Sequence, residues 1–552
     1  MIEALQDADL AKIDLARQEL LEEERRCWED TYQEVDERFP SGAGGFNRVT
    51  RGDIRGSRNY DSTHVTGIER FAAAGVHITT PEHTSYIKPK FIDPELMKQR
   101  EVRLWCEEAG RRLYAIRHAQ HTGFITAAIE DWDQLGRYGT SLVWQEARRN
   151  GRGLFYRALH LSTCWIDTDF AGLVDTVHRK HEMTVRQLEQ QFGGDALTPK
   201  MREVLEDRDS TKADRVKFEI LHVVAPNTQW DADKFDHRRF PISSRYLAID
   251  EKMYLRRKGY HTMPISASRH MTSPGEKYGR SPAIKVMPNI NGVNAMKLTT
   301  LRAGHKAVDP ALLFADDQGV MKLVSKPGGM NAGLVSDDGR PLVHRMPGGE
   351  AGIPYAIEMI QDERATVKGA FLEEFYSIIT DPNSRMTTVE VYERMAKEGV
   401  LVRPFASRYA TEKQHPMTQR DLDLALRAGQ IAPMPEVVQE AGAWPQIDYE
   451  NPLAAMAKAE DSGKTMRYVQ GLPILAEIDP DVRYRVNVDA IAIGLARDTG
   501  VPEKYIRSDE EVARLKQGDA EAQGAAIDAE LLARTGSAVK DFAQADKLAR
   551  MG

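Results

Sequence analysis

Two stretches of equal length decide the fold: SPAIKVMPNINGVNAMKLTTLRAGHK (281–306) and PYAIEMIQDERATVKGAFLEEFYSII (354–379). Each has 26 residues, and a continuous helix of that length extends about 39 Å at 1.5 Å per residue. We expect Pro288 to kink or restart the first helix, because its ring removes a backbone donor. The connecting residues 307–353 are rich in glycine and proline and hold short apolar runs at 311–314, 321–324 and 341–343. The pattern predicts a helical hairpin with a compact insert of short strands at its tip.

The chain that follows this hairpin begins with a turn and is then mainly helical. Residues 380–387 read TDPNSRMT, in which Asp-Pro-Asn-Ser has the side chains that favour turns. Further helices are predicted over 388–399 and 411–440 and over most of the chain after Pro452. From residue 518 the sequence is rich in alanine and polar side chains, which indicates a weakly packed helix or a partly disordered end.

The chain that precedes the hairpin mixes helices with strands. Apolar spacing predicts a helix over 3–38 and a helical region over 93–136, with Asp93 as N-cap and Pro94 in the first turn. Asn150-Gly151 between two β-rich runs indicates a hairpin. A short helix is predicted at 184–193, and strands are predicted at 172–182, 217–225, 244–249 and 252–256. These blocks place the chain in the α+β class.

The composition narrows the classes of function. The 552 residues include 75 Lys and Arg against 83 Asp and Glu, a formal net charge of -8. A protein that holds DNA by neutralising phosphates is normally basic on at least one face, so this charge argues against a simple DNA-binding protein. No run approaches about 18 apolar residues, and the acidic N-terminus lacks a secretory signal, so we expect no membrane span. The widely spaced Cys27, Cys106 and Cys164 predict neither a disulfide framework nor a metal pair.

Motifs for catalysis or for cofactor binding are absent or incomplete. GKT at 463–465 resembles the end of a phosphate-binding loop, but Lys458 stands where that loop needs glycine. The histidine pairs 118/121 and 178/181 lack cysteines at ligand spacing, and residues three apart in a strand lie on opposite faces. No nucleophile elbow is present. The sequence therefore favours a non-enzyme with no metal and no cofactor.

A set of short motifs, in a fixed order from residue 59 to about 454, is specific. The chain resembles the portal proteins of short-tailed double-stranded DNA bacteriophages, the head-to-tail connector family. The blocks that carry the resemblance are NYDST (59–63), ITTP (78–81), YGTSLVWQE (138–146), GLVDTVHRKHEMTVRQLEQQFG (172–193), GEKYGRSPA (275–283), KAVDPALL (306–313) and IDYENPLA (447–454).

The resemblance implies a portal fold with a wing, a long-helix stem, a small β-rich clip and a helical crown, assembled as a ring of twelve copies around a DNA channel. The implied regions are the N-terminal part of the wing (1–280), the first stem helix (281–306), the clip (307–353), the second stem helix (354–379), the channel loop (380–387), the C-terminal part of the wing (388–470), and the crown with the C-terminal tail (471–552).

The resemblance also implies partners and a location. The ring would occupy one capsid vertex of the virion after assembly in the host bacterial cytoplasm, and it would contact major capsid, scaffolding and internal core proteins. The clip would hold the terminase large subunit during packaging and then tail adaptor or nozzle proteins. Two alternatives stay open, namely another ring-forming head–tail adaptor or connector and a DNA-processing enzyme with a metal-binding carboxylate cluster.

The candidate DNA-channel residues lie on the implied stem and channel loop. Tight phosphate neutralisation would trap sliding DNA, so a mostly acidic lumen with a few basic rings is expected. The alternative is that the stem charges form salt bridges between neighbouring subunits. The candidates are Lys285, Lys297, Arg302, Glu358, Asp362, Asp381, Asn383, Ser384 and Arg385.

Overall fold

The described part of the chain contains both helices and strands. The computed structural model describes residues 2–40, 46, 59–81, 85–148, 153–207, 211–309, 312–314, 330, 335, 338–341, 343–345, 352–373, 406–449, 465–471, 486–498, 501–507 and 511–518. Its named helices are α1 (Ile2–Arg38), α2 (Thr63–Thr79), α3 (Pro94–Lys98), α4 (Arg100–Arg117), α5 (Phe124–Tyr138), α6 (Val185–Phe192), α7 (Pro199–Glu206), α8 (Lys212–Arg215), α9 (Pro282–Val308), α10 (Ile353–Ala370), α11 (His415–Arg427), α12 (Glu436–Glu440) and α13 (Val488–Asp498). Its strands are β1 (Ile87–Lys90), β2 (Thr140–Ala147), β3 (Leu154–Leu159), β4 (Cys164–Thr168), β5 (Val174–Thr184), β6 (Lys217–Pro226), β7 (Ile242–Ala248), β8 (Met253–Tyr260), β9 (Ile265–Arg269), β10 (Leu312–Phe314), β11 (Val343–Arg345) and β12 (Gln446–Tyr449).

The α+β prediction is confirmed, and the chain divides into two compact units. The larger unit comprises residues 1–87, 112–431 and 449–453, and the smaller unit comprises 88–111, 432–448 and 454–552. Each unit is therefore built from separate segments of sequence, so distant parts of the chain pack together within it.

A five-stranded antiparallel sheet in the larger unit has the order β4-β5-β6-β7-β8. Strands β5, β6, β7 and β8 confirm the four strands predicted between 172 and 256. The predicted helix after β5 is confirmed as α6, and a capping box fixes its start. The Thr184 hydroxyl accepts a hydrogen bond from the Gln187 amide at 3.4 Å, and the Gln187 side chain accepts one from the Thr184 amide at 3.0 Å.

A three-stranded antiparallel sheet, β3-β2-β9, stands beside it in the same unit. The predicted hairpin is confirmed as β2 and β3, although its turn residues, 149–152, lie outside the described residues. The sequence did not indicate β9, whose residues ISASR are short and rich in serine.

The main core lies where α2 and α5 pack against each other and against these sheets. Two glycines allow the close approach of the helices. A Cβ atom on Gly75 would lie 2.4 Å from the Trp132 ring, and one on Gly136 would lie 2.3 Å from Ile68. Both distances are shorter than any real carbon–carbon contact, so a larger residue at either position would push the helices apart.

Three predicted helices are wrong in extent. The region 93–136 is broken into α3, α4 and α5, because Gln99 is extended and Gly123 adopts φ +70°. The stretch 411–440 is interrupted after α11, where Gly429 adopts φ +67°.

The second long helix ends at Ala370 rather than at 379. Phe371 is fully buried against Gly67, and Leu372 has φ +56°, so the chain leaves the helical path to place Phe371 in the core. Residues 374–379, the turn at 380–387 and the helix predicted at 388–399 lie outside the described residues.

The insert between the long helices contains one described strand pair. Strand β10 pairs antiparallel with β11, with Leu313 opposite His344, so two of the three predicted short strands have a counterpart. The run at 321–324 lies outside the described residues.

The smaller unit is held by polar contacts between distant segments. The Trp105 indole donates a hydrogen bond to the Ala432 carbonyl at 2.9 Å, and Arg103 Nε is 2.6 Å from Glu503 Oε1. The described C-terminal residues are partly helical, as predicted, at 465–471, in α13 and at 511–518. Among the described helices, none is both long and apolar enough to cross a membrane.

Candidate functional site

The two long helices, α9 and α10, lie side by side in the larger unit. Helix α9 begins with Ser281 as N-cap, whose hydroxyl accepts a hydrogen bond from the Ile284 amide at 2.9 Å. It continues through Pro288 to Val308, so the predicted restart at the proline does not occur. Between the helices, Asn289 Nδ2 donates to Glu363 Oε2 at 2.7 Å.

The segment NYDST (59–63) ties both helices together. Asn294 of α9 accepts hydrogen bonds on its Oδ1 from the Tyr60 amide at 2.8 Å and from the Asp61 amide at 3.3 Å. Arg364 of α10 donates from Nε to Asp61 Oδ1 at 2.9 Å. We call this set of contacts the helix anchor, with Tyr60, Asp61, Asn294 and Arg364 as its members. It fixes the spacing of two helices that are far apart in sequence.

The electrostatics of the helix anchor favour its ionised form. Burial by itself raises the pKa of Asp61, but hydrogen bonds from Arg364 and Thr63 outweigh that effect, so the pKa lies below its usual value. Asp61 is 6% exposed, so its ion pair with Arg364 is well shielded from water on the carboxylate side. The anchor is therefore charged and intact at neutral pH.

Five of the candidate channel residues lie on these helices. Lys285, Arg302, Glu358 and Asp362 are exposed, and Lys297 is half-buried. Within the described part of the chain, none of the five forms an ion pair. The candidates Asp381, Asn383, Ser384 and Arg385 lie outside the described residues.

The helices bring only some of these charges together. Glu358 and Asp362 are four residues apart and share a face of α10. At 3.6 residues per turn, Lys285, Lys297 and Arg302 are separated by about 100–140° around α9. A single surface along α9 therefore presents one of these basic side chains, and the others face different neighbours.

The far ends of the long helices expose apolar side chains. Tyr355, Ile357 and Met359 at the start of α10 are 70%, 46% and 60% exposed, and Val308 at the end of α9 is 88% exposed. Tyr355 and Met359 are four residues apart and share a side of α10, and exposed apolar side chains that lie together in this way are typical of a surface that another protein covers.

Sequence reasoning missed the members of the helix anchor. NYDST was recognised as a motif, but its partners Asn294 and Arg364 lie more than 230 residues away, at separations of 234 and 303. It also missed a buried network in which Arg117 Nη2 contacts Asp421 Oδ2 at 2.6 Å and the Tyr156 hydroxyl donates to the same oxygen at 2.7 Å. A polar residue inside an apolar helical stripe, such as Asn294, is the signal that could have found the anchor.

The histidine pairs do not form metal sites in the described residues. His178 is buried in β5, where its Nδ1 lies 3.1 Å from Gln18 Oε1, and burial lowers its pKa to about 4. His118 is likewise packed against Tyr86, and burial lowers its pKa to about 4. No group of three or more potential metal ligands occurs in the part of the chain that the structure describes.

Comparison with known proteins gives one family over most of the chain. The profile of a family described as bacteriophage head to tail connecting protein matches residues 14–506. The probable portal protein of Bordetella phage BPP-1 is 24% identical over 538 residues, which cover 94% of this chain and 93% of the relative. The portal protein of Salmonella phage epsilon15 is 23% identical over 488 residues, which cover 87% and 85%.

Solved structures give a weaker likeness. A chain of the virion of a native gene transfer agent particle is 13% identical and matches 79% of this chain and 94% of its own length, with a TM-score of 0.36. A chain from the neck of an empty gene transfer agent particle, computed with C6 symmetry, is 11% identical and matches 77% and 92%, also at 0.36.

Proposed function

Because the chain belongs to the bacteriophage head-to-tail connecting protein family, we propose that it forms a ring of twelve copies that conducts double-stranded DNA through one capsid vertex. The observation that carries the proposal is the family match over residues 14–506, together with two portal proteins alike over at least 85% of their own lengths. The ring would serve both packaging and ejection of the genome. It would be a structural conduit and not an enzyme.

The long helices supply the stem in this proposal. The helix anchor holds α9 and α10 at a fixed spacing, and the exposed Tyr355, Ile357 and Met359 give neighbouring copies an apolar surface to cover. The three basic residues of α9 face different directions, so one ring of positive charge per helix would face the DNA. The remaining basic side chains would form contacts between subunits.

A sparse set of lumen charges suits DNA that has to move. Each phosphate contact releases counterions and deepens an energy well along the track. Glu358 and Asp362 share one face of α10 and would repel the duplex wherever that face meets the lumen. Arg385, Asp381, Asn383 and Ser384 would form the loop that meets the DNA at the inner end of the stem.

The insert at 307–353 would be the docking surface for other proteins. The terminase large subunit would bind there during packaging, and tail adaptor or nozzle proteins would replace it afterwards. The motor partner would supply ATP hydrolysis. Major capsid, scaffolding and internal core proteins would contact the other regions after assembly in the host bacterial cytoplasm.

The mass and symmetry of the assembled particle test this proposal. We expect purified protein to form rings of twelve 62.1 kDa chains with a central hole, seen by native mass spectrometry and negative-stain microscopy. A stable monomer at all concentrations and in the presence of scaffolding protein would contradict it. Metal-dependent cleavage of DNA by the purified protein would favour the DNA-processing alternative instead.

A further inference from the structure

A large open cleft in the larger unit has walls of opposite charge. It has a volume of about 2020 Å³ and is lined by α1, by strands of both sheets and by α6. The α1 side carries four glutamates, among them Glu19 and Glu23, against Arg26, and the strand side carries six Arg or Lys, among them Arg157, Arg179 and Arg256, against Glu146, Glu182 and Glu219, so the two sides have opposite net charge. We call this the arginine cleft. Small-molecule pockets have volumes of roughly 300–1,000 Å³, so the size suits a segment of polypeptide.

Two of the three arginines, Arg179 and Arg256, lie in one row across the five-stranded sheet, and Arg157 lies on β3. In successive antiparallel pairs, Cys164 of β4 stands opposite Arg179 of β5, Arg179 opposite His222 of β6, His222 opposite Tyr246 of β7, and Tyr246 opposite Arg256 of β8. Directly opposed residues share a face of the sheet, so all five side chains project from the same surface. The His222 and Tyr246 rings stack at 3.9 Å, which makes this row rigid.

The guanidinium groups in the row lack carboxylate partners among the described residues. Arg179 is only 8% exposed, its Nε has no hydrogen-bond partner in the described structure, and its guanidinium carbon lies 5.6 Å from the centroid of the Trp144 ring. Burial and the nearby Arg157 hold the pKa of Arg179 below its usual value. Arg256 Nε is also unsatisfied. A buried cation without a counter-ion is costly, so this wall is built to receive an anionic group from outside.

The opposite wall shows which anion fits. Glu19 and Glu23 are exposed and form no ion pair with described residues, so a DNA phosphate backbone entering the cleft would be repelled on that side. Trp144 and Phe155 lie in edge-to-face contact at 5.5 Å and give the cleft an apolar floor. The cleft thus suits a polypeptide that carries aspartate or glutamate next to an aromatic side chain.

One exposed loop of this chain has that chemistry. The β6–β7 connection carries the sequence QWDADKFD at 229–236, which we call the tip loop. Phe235 is 97% exposed and Trp230 is 57% exposed, while Asp231 and Asp233 are exposed and form no ion pair with described residues.

Hydrogen bonds to backbone carbonyls hold the tip loop in a defined conformation. Asn227 Nδ2 donates to the Phe240 carbonyl at 2.8 Å, the Trp230 indole donates to the Arg239 carbonyl at 3.2 Å, and the Asp231 amide donates to the Arg238 carbonyl at 2.9 Å. A preorganised loop loses little conformational freedom on binding.

We infer that the tip loop of one copy binds in the arginine cleft of the next copy. The two surfaces lie on different parts of the same chain, so the contact is heterologous, and repetition of a heterologous contact closes a ring when the rotation fits. The inference deepens the proposed function, since it names a junction of the proposed ring. Asp231 and Asp233 would meet the guanidinium groups of Arg157, Arg179 and Arg256 in this junction.

Charge reversal on each side tests the junction. The loop variant is Asp231→Lys with Asp233→Lys, and the cleft variant is Arg157→Glu with Arg256→Glu. Each variant alone would bring like charges together at every junction, and we expect at least a tenfold rise in the concentration needed for rings in sedimentation velocity. Lys200→Glu, an exposed site outside the cleft, is the matched control and should assemble as the wild type does.

Mixing the two variants gives the decisive result. In an equimolar mixture each reversed cleft meets a reversed loop, and each original cleft meets an original loop, so rings of alternating subunits should return. Variants that assemble normally alone, or a mixture that stays unassembled although both proteins keep wild-type circular dichroism, would overturn the inference. Wild-type protein that never forms rings would count against the proposed function, whereas wild-type rings with unaffected variants would count against this junction alone.

Discussion

The helix anchor yields a prediction whose size follows from its hydrogen bonds. In Asn294→Ala, the Tyr60 and Asp61 amides lose their shared acceptor, which lies 2.8 and 3.3 Å away in the folded protein. Leaving a buried donor unsatisfied costs about 1–3 kcal/mol, and the longer bond lies at the lower end. Alanine returns about 0.5 kcal/mol through its helix propensity. We therefore expect a net loss of about 2–3 kcal/mol in the free energy of local unfolding.

Amide hydrogen exchange followed by mass spectrometry measures this loss at the site itself. A loss of 2–3 kcal/mol should speed exchange of the Tyr60 and Asp61 amides by roughly 30- to 150-fold when exchange occurs through local opening. Asn291→Ala is the matched control, since Asn291 lies one turn earlier on α9 and bonds the exposed side of Glu34 at 2.7 Å. Equal exchange of residues 60–61 in the two variants would refute the account of the anchor.

The other predictions concern the channel, the insert, the cleft and pH. Arg385→Glu should leave ring assembly intact but reduce DNA packaging or retention, as measured by nuclease-protected DNA, and normal packaging would remove this residue from the mechanism. Deletion of 311–347 should abolish binding of terminase and tail adaptor in pull-down assays, and unchanged binding would place the docking surface elsewhere. Arg179→Met should raise the free energy of unfolding of the isolated subunit by about 1–2 kcal/mol in urea titrations, because it removes a buried cation without a carboxylate partner among the described residues. The same variant should assemble into rings less readily, because the cleft loses a basic side chain. A destabilised subunit would contradict this prediction. The pKa of Asp61 is lower in the folded protein than in the unfolded chain, so ionised Asp61 stabilises the fold above its unfolded pKa of about 4, and this stabilisation is lost as the pH falls through the folded pKa. In thermal melts at a series of pH values, Asp61→Asn should lack that acid-dependent loss of stability. An unchanged acid dependence would contradict the assignment.

Local patterns were enough to predict much of the fold. The strand-like runs predicted between 172 and 256 correspond to β5 to β8, the short helix predicted at 184–193 corresponds to α6, and the long helix predicted from 281 corresponds to α9. Each of these signals depends on neighbours within a few residues, which is why sequence alone could show them. The break after Ala370 was not visible in this way, because burial of Phe371 against Gly67 is a tertiary contact that overrides helix propensity.

The candidate site was predictable only in part. The motif NYDST can be identified in the sequence, whereas the pairing of Asp61 with Arg364 is seen only in the folded structure. The row from Arg179 to Arg256 depends on strand register across three pairs, and a shift of one residue would send those side chains to the other face. The positions of Lys285, Lys297 and Arg302 were predicted, but their different directions around α9 follow from helix geometry once the bounds are known.

The helix anchor can form only late in the synthesis of the chain. Asp61 leaves the ribosome long before Arg364, with 303 residues between them. At about 5–20 residues per second, their synthesis takes roughly 15–60 s. During that interval the carboxylate has no guanidinium to meet, and α9 lacks its companion helix. A chain that terminates before residue 364 therefore lacks Arg364 and cannot form the helix anchor. Such truncated copies would not hold the helix pair in place and would not join an assembly.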